Sequence, residues 1–282
     1  MDIDVLGALA VREGGVPIAP TAPKQRQMLA LLALNADRAV PVTDLVEELW
    51  EGRPPRSART TLQTYVLHLR DHIARALAPR AVPAPAPGGN GTPDDAPRGA
   101  KDVLVTLPGA YLLAAGAGSS DVRTFERLAG EGYRAMDAAS YADASARLTE
   151  ALRLWNGPAF ADVQRGTLLA REAKRLEESR LCALDQRIEA DLHLGRHREL
   201  LAELTVLTSR YRTHENLHAQ FMTALARSGR RSEALHVYRQ LRTTLVRELG
   251  LEPSPRLQRL LHSVQASAAE TSDEALLAAG TG

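Results

Sequence analysis

The stretch ARTTLQTYVLHLRDHIARAL, residues 58–77, concentrates side chains suited to hydrogen bonding with a polyanion. Leu62, Val66, Leu69, Ile73 and Leu77 recur at three- and four-residue steps, the spacing of a helix face that is buried. At about 100° per residue, Thr60, Thr64, Leu67 and Asp71 fall roughly opposite that stripe, with Thr61 and His68 to one side. Arg56, Arg59, Arg70 and Arg75 lie on or near the flanks. Short polar side chains let a helix press into a groove, whereas long ones hold it away. A threonine offers a hydroxyl to a base edge or a phosphate and a methyl to thymine. Guanidinium groups at the entrance and flank are placed to reach phosphates on two strands. The plain alternative for the same residues is a solvated surface helix, and composition alone does not separate the two.

Global charge does not announce a polyanion partner, because the 282 residues carry a net +1. Local charge is less even. Arg53, Arg56, Arg59, Arg70 and Arg75 face a single acid, Asp71, between residues 53 and 75, while Asp44, Glu47, Glu48 and Glu51 precede them. Such clusters matter more for partner choice than the net value. The one cysteine, Cys182, excludes an intrachain disulfide; its place on a helical pattern suggests buried packing. No apolar run is long enough for a membrane span, and the N-terminus lacks a basic-then-apolar leader, so a soluble cytoplasmic chain is expected, associated with the nucleoid and not with membrane. No glycine-rich phosphate loop occurs. His193 with His197, and His214 with His218, stand one turn apart without a third ligand. The chain is therefore expected to have no catalytic residues, no metal, no cofactor and no enzymatic activity.

The elements that must hold residues 58–77 can be read in order. Residues 2–20 alternate short apolar runs with Gly14-Gly15 and suggest two or three small strands. A largely buried helix follows from Pro23, carrying Met28, Leu29, Leu31, Leu32 and Leu34. PVTDLVEELWEG suggests a second helix capped by Thr43, with Leu45, Val46, Leu49 and Trp50 facing inward and Gly52 ending it. Pro54-Pro55 forbids continuation, and Ser57 is a natural cap for the third helix. Residues 79–100 hold six prolines and four glycines and are expected to be a flexible insert. KDVLVTLPGAYLLAA then suggests a hairpin around Pro108-Gly109, with Tyr111 packing. Strands, three helices and a hairpin are the order of a winged helix-turn-helix over residues 1–115, in which the third helix enters the major groove. Thr106 and its neighbouring amides would then contact phosphate.

From Asp121 to about residue 266 the pattern is helical. GRHRELL at 195–201 returns as GRRSEAL at 229–235, a 34-residue spacing typical of tetratricopeptide helix pairs. A fainter copy, SYADASARLTEAL, covers 140–152, and residues 267–282 suggest a flexible tail. The expected class is mainly α with small β elements: a winged helix-turn-helix domain, then a tetratricopeptide-like array.

PKQRQMLALLAL, VPVTDLVEELW, ARTTLQTYVLHLR and TLPGAYLL in the first half, with LWNGPAFADV and GRRSEALHVYRQLRTTLVRELGLEPSPRLQRL in the second, carry a resemblance. The chain resembles the Streptomyces antibiotic regulatory protein family of transcription activators, from about residue 3 to 265. The resemblance implies an OmpR-like winged helix followed by a bacterial transcriptional activation domain. It implies binding to direct repeats of double-stranded promoter DNA near the −35 element, with two protomers side by side, and recruitment of RNA polymerase through its sigma factor to switch on an antibiotic biosynthetic cluster. Base contacts would fall on Thr64 and His68, and phosphate contacts on Thr60, Tyr65 and Arg70, with Arg59 and Thr61 beside them. The activating loop would comprise Trp50, Glu51, Gly52, Arg53 and Arg56. His68 and Leu67 stand where relatives often place Arg or a small polar residue, and the 79–100 insert is longer than usual. The alternative is a tetratricopeptide-type scaffold whose winged domain docks protein rather than DNA, a reading favoured by the balanced charge of residues 1–115.

Overall fold

A computed structural model describes residues 1–78 and 98–266. They divide into two compact units, one of Met1–Leu128 with Glu150–Leu181, the other of Ala129–Thr149 with the residues from Cys182 onward. The class is mainly α with small sheets. The greater part of the 79–100 insert, and the 267–282 tail, lie outside the described residues.

In the first unit β1 (Asp2–Asp4), β2 (Ala10–Glu13) and β3 (Val16–Pro17) pair antiparallel in that order. Then α1 (Pro23–Leu34) begins with proline in its first turn, where a missing N–H costs nothing. Every residue from Gln27 to Ala33 is buried, which is why this helix reads as a continuous apolar run instead of a stripe. β4 (Ala39–Pro41) and α2 (Val42–Trp50) follow, then α3 (Ala58–Leu77), a short α4 (Ala100–Val103), β5 (Leu104–Leu107) and β6 (Ala110–Leu113). The second sheet has the order β4-β6-β5, with Val40 opposite Tyr111 and Thr106 opposite Tyr111 on the other edge. Gly109 at φ +70° turns the hairpin. Leu62, Val66, Leu69 and Ile73 are buried along α3, as their spacing requires.

Three local expectations are corrected, and one strand was not foreseen. Thr43 is not a cap: α2 starts at Val42 behind Pro41, and the Thr43 hydroxyl bonds to Asp44 instead. Ser57 occupies the N-cap of α3 but its side chain makes no capping bond. β4 was hidden because three residues ending in proline are too short to show an alternation. Cys182 is exposed, so it is not a core residue.

Glu48 is the unexpected member of the acidic cluster, for it is fully buried. Its carboxylate accepts N–H bonds from Gly166 (2.6 Å), Leu168 (2.8 Å) and Leu169 (3.0 Å), at the start of α7 (Thr167–His193). The Gln27 amide of α1 donates to Glu48 Oε1 at 3.0 Å and to its carbonyl at 2.7 Å. A negative charge among the free N–H groups of a helix start meets both their hydrogen bonds and the helix dipole. Gly166 is obligatory, because a Cβ there would lie 2.1 Å from the Glu48 carbonyl oxygen.

The WNGPAFADV phrase builds a second clasp in the same unit. Asn156, Phe160 and Ala161 donate backbone N–H bonds to the carbonyls of Leu6, Val5 and Gly7 at 2.8–2.9 Å. Asp162 accepts from the Leu9 amide and pairs with Arg26, and Asp121, the first residue of α5 (Asp121–Asp137), accepts from the Val5 and Leu6 amides at 2.7 Å. Burial pushes the Asp121 carboxyl above its ordinary range, against the opposing pull of those two amides.

The second unit is a helical array containing most of α6 (Tyr141–Leu152), the end of α7, α8 (Leu201–Arg210), α9 (Glu215–Arg227), α10 (Arg231–Leu249) and a helix over residues 255–266. Met222, Leu225, Val237, Tyr238, Leu241, Leu245 and Leu257 form one core, so GLEPSPRLQRL contributes Leu257 to the packing of α9 against α10. The repeat shows in its turns. Gly195 and Gly229 sit at φ +76° and +81°, and the first bonds back to Leu192 and the second to Ala226; the next residue, Arg196 or Arg230, bonds to Asp191 or Leu225. The same pair of bonds recurs at Ala139 and Ser140, with Ala139 at φ +55°. The fainter copy therefore carries the same turn with alanine where the others have glycine.

Two stability effects are expected. Glu48→Gln removes an acceptor from buried amides and should cost about 2–3 kcal/mol, read as a lower urea midpoint at unchanged slope. Ala139→Gly should raise the midpoint by the equivalent of roughly 0.5–1 kcal/mol, since it relieves a left-handed alanine at some entropic cost; no gain would mean that the turn carries no such strain.

Candidate nucleic-acid interface

The face of α3 opposite its buried stripe is open: Arg59, Thr60, Gln63, Thr64, Leu67, His68 and Asp71 are all exposed. Thr61, Tyr65 and Arg70 are half-buried on its margins. Leu67, at 59% exposure, is among the most exposed large apolar residues described, so this face combines hydroxyls with an apolar contact. The Thr64 hydroxyl donates to the Thr60 carbonyl at 3.1 Å, which leaves its lone pairs outward as acceptors.

Two side chains on this face are tied down by neighbouring elements. Arg70 donates from Nε and Nη2 to the Leu104 carbonyl (3.1 and 2.7 Å) and from Nη2 to the Thr106 hydroxyl (2.7 Å). Arg70 and Thr106, singled out separately in the sequence, thus form one unit that fastens the hairpin to α3. This occupies much of the guanidinium and leaves Nη1 as its outward donor. His68 Nδ1 lies 2.7 Å from the Gln25 amide nitrogen of α1. With that amide donating, Nδ1 accepts, and the ring proton sits on the outward Nε2. Gln25 was missed in the sequence: its partner is 43 residues away, and only the packing of α1 against α3 brings the two together.

The segment between α2 and α3 projects its polar groups to solvent. Glu51 to Ser57 are all exposed, whereas Trp50 is half-buried as the last residue of α2. Glu51 at φ +49° and Gly52 at φ +77° turn the chain out of the helix, and the Arg53 amide bonds back to the Trp50 carbonyl. Of the paired histidines, His193 is exposed and stacks on Tyr141. His214 caps α9 through the Leu217 amide, and no group of potential metal ligands occurs among the described residues. No helix there is long and apolar enough to cross a membrane.

This arrangement, an exposed third helix behind a three-stranded wing sheet, has known counterparts. The bacterial transcriptional activator domain matches residues 120–265, and the C-terminal domain of transcriptional regulatory proteins matches residues 18–82. The chain is 50% identical over 264 residues to Regulatory protein DnrI of Streptomyces peucetius, covering 94% of this chain and 92% of that one. The chain belongs to the Streptomyces antibiotic regulatory protein family. It is a transcriptional regulator. Transcriptional regulator RedD of Streptomyces coelicolor is 33% identical across 92% of this chain and 69% of its own length. A solved structure of Mycobacterium tuberculosis EmbR in complex with a low affinity phosphopeptide is similar at a TM-score of 0.81 and 32% identity, over 94% of this chain and 65% of that one. Like EmbR, this family member has a winged domain followed by a helical array.

Arg70→Met should release the hairpin from α3. Amide hydrogen exchange in β5 and β6 is expected to accelerate about tenfold, as loss of roughly 1.4 kcal/mol of local bonding implies. Unchanged protection would mean that β4 and β6 hold the wing without Arg70.

Proposed function

We propose that the chain activates transcription by reading direct repeats in double-stranded promoter DNA near the −35 element, two protomers side by side, and by holding RNA polymerase through its sigma factor. The genes controlled would be a secondary-metabolite cluster, as the family's name suggests. The observation that carries the reading is the open face of α3. Its short polar side chains and Leu67 stand clear of their surroundings, with an arginine at the helix entrance. Residues 1–115 would read the DNA and residues 121–266 would serve activation.

In this reading Thr64 and His68 face base edges, with Leu67 against a thymine methyl. Arg59, Thr60, Thr61 and Tyr65 meet phosphate, joined by Thr106 and the remaining Nη1 of Arg70 at the wing. His68, held by Gln25, presents a donor, which suits the acceptors of guanine. Trp50, Glu51, Gly52, Arg53 and Arg56 form the surface offered to polymerase.

Fluorescence anisotropy across a salt series tests this, using promoter fragments from the gene neighbourhood against random duplex. Tight, saturable binding to one fragment, with affinity falling by roughly one power of salt per phosphate contact, is expected. Thr64→Glu should abolish that preference, and Arg59→Ala should lower the salt slope by about one. Gln25→Ala should relax selectivity at the base met by His68. Replacing residues 52–56 should reduce transcription in vitro while sparing DNA affinity. Equal weak binding to all duplexes, untouched by Thr64→Glu, would leave the scaffold alternative standing.

A further inference from the structure

The second unit holds a groove of about 730 Å³ bounded by α8, α9 and α10 whose chemistry is one-sided. Arg212, Arg239 and Arg247 line it with His218 and His236, and no carboxylate does. Glu248 beside it pairs with Arg212 (3.5 Å) and Arg247 (2.9 Å), one acid against three guanidiniums. Arg239 makes no ion pair among the described residues. Positive charge this concentrated, in a chain of net +1, is a local device and not an overflow of global basicity.

The hydroxyls narrow the ligand further. Thr205, Thr208 and Thr243 on the groove walls each donate to a backbone carbonyl of their own helix, at 2.7–2.9 Å. Their hydrogens are used, so these three offer the groove lone pairs alone, beside the donors of Ser209, Thr244 and the Gln240 amide. A small oxyanion would use the donors and leave these three acceptors unmatched. An acidic peptide needs both kinds of group: cations for its carboxylates, and acceptors for its backbone N–H groups. Phe221, half-buried at the groove, adds an apolar contact for a side-chain stem.

We propose that this groove binds an acidic segment of a partner protein. The site is independent of the α3 face, so it stands or falls without the DNA reading.

The full chain would be titrated by fluorescence anisotropy against two labelled peptides, one alternating glutamate with alanine and the other lysine with alanine. Saturable binding of the glutamate peptide alone is expected. Arg239→Glu should weaken it by about tenfold, since the attraction of one exposed cation for the peptide's carboxylates becomes a repulsion. Arg259→Glu, the same charge change at an exposed position away from the groove, should leave it unaltered. Circular dichroism of both variants confirms that they fold. Equal weakening by both variants would reduce the effect to net charge and overturn the site. Loss on Arg59→Glu instead would place the peptide on α3 and overturn the site as well. Displacement of the peptide by inorganic phosphate, beyond the effect of chloride at equal ionic strength, would make the groove a simple anion site. Peptide binding seen only after removal of residues 267–282 would assign the groove to the chain's own acidic stretch and overturn the partner reading.

Discussion

The winged half of the first unit depends on a buried carboxylate. Glu48 sits on α2, takes the Gln27 amide from α1 and three backbone amides from the start of α7, and so joins segments 118–121 residues apart. A charge taken out of water is tolerated only when its lone pairs are filled and a field of opposite sign is near. Both conditions are supplied by the helix start, and the space for it by a glycine. The interaction is directional as well as strong: two oxygens and three N–H groups fix the first turn of α7 against α2, which apolar packing alone would leave free to slide.

From that fixed point the placing of the open α3 face follows. α2 holds α1, α1 supplies Gln25 to His68, and α3 lies against both with its apolar stripe inward. The wing is then fastened from the far side through Arg70 and Thr106. What reaches solvent is therefore narrow and set in orientation: a hydroxyl whose proton is already committed, an imidazole with one nitrogen occupied, and a guanidinium with one outward end. Each of these side chains has lost rotamer freedom inside the protein, so less is left to lose on contact with a partner.

The legible features of the sequence were those whose cause is local. The α3 stripe, the hairpin around Pro108-Gly109, the proline start of α1 and the paired Gly-Arg turns each arise within one stretch of chain, so residue type and spacing suffice. The open face of α3 was legible for the same reason, being the complement of the stripe. What escaped was set by distant partners. Glu48 looks like Glu47 until α7 arrives to bury it, and Gln25 is an ordinary helix-start residue until α3 lies beside it. Cys182 lies on a helical pattern, yet it is exposed, because the buried stripe of α7 runs through Leu176, Ala183 and Ala190 and passes it by. β4 is too short to carry a pattern and exists because β6 offers it an edge.

The hairpin is held at both of its approaches by arginines acting on carbonyl oxygens: Arg70 of α3 on Leu104, and Arg98 on Ala114. The wing's position is consequently fixed from two sides. Lifting the hairpin from the rest of the unit therefore means breaking a guanidinium–carbonyl bond at its entry and another at its exit, so its two strands are tethered as a pair and not one at a time.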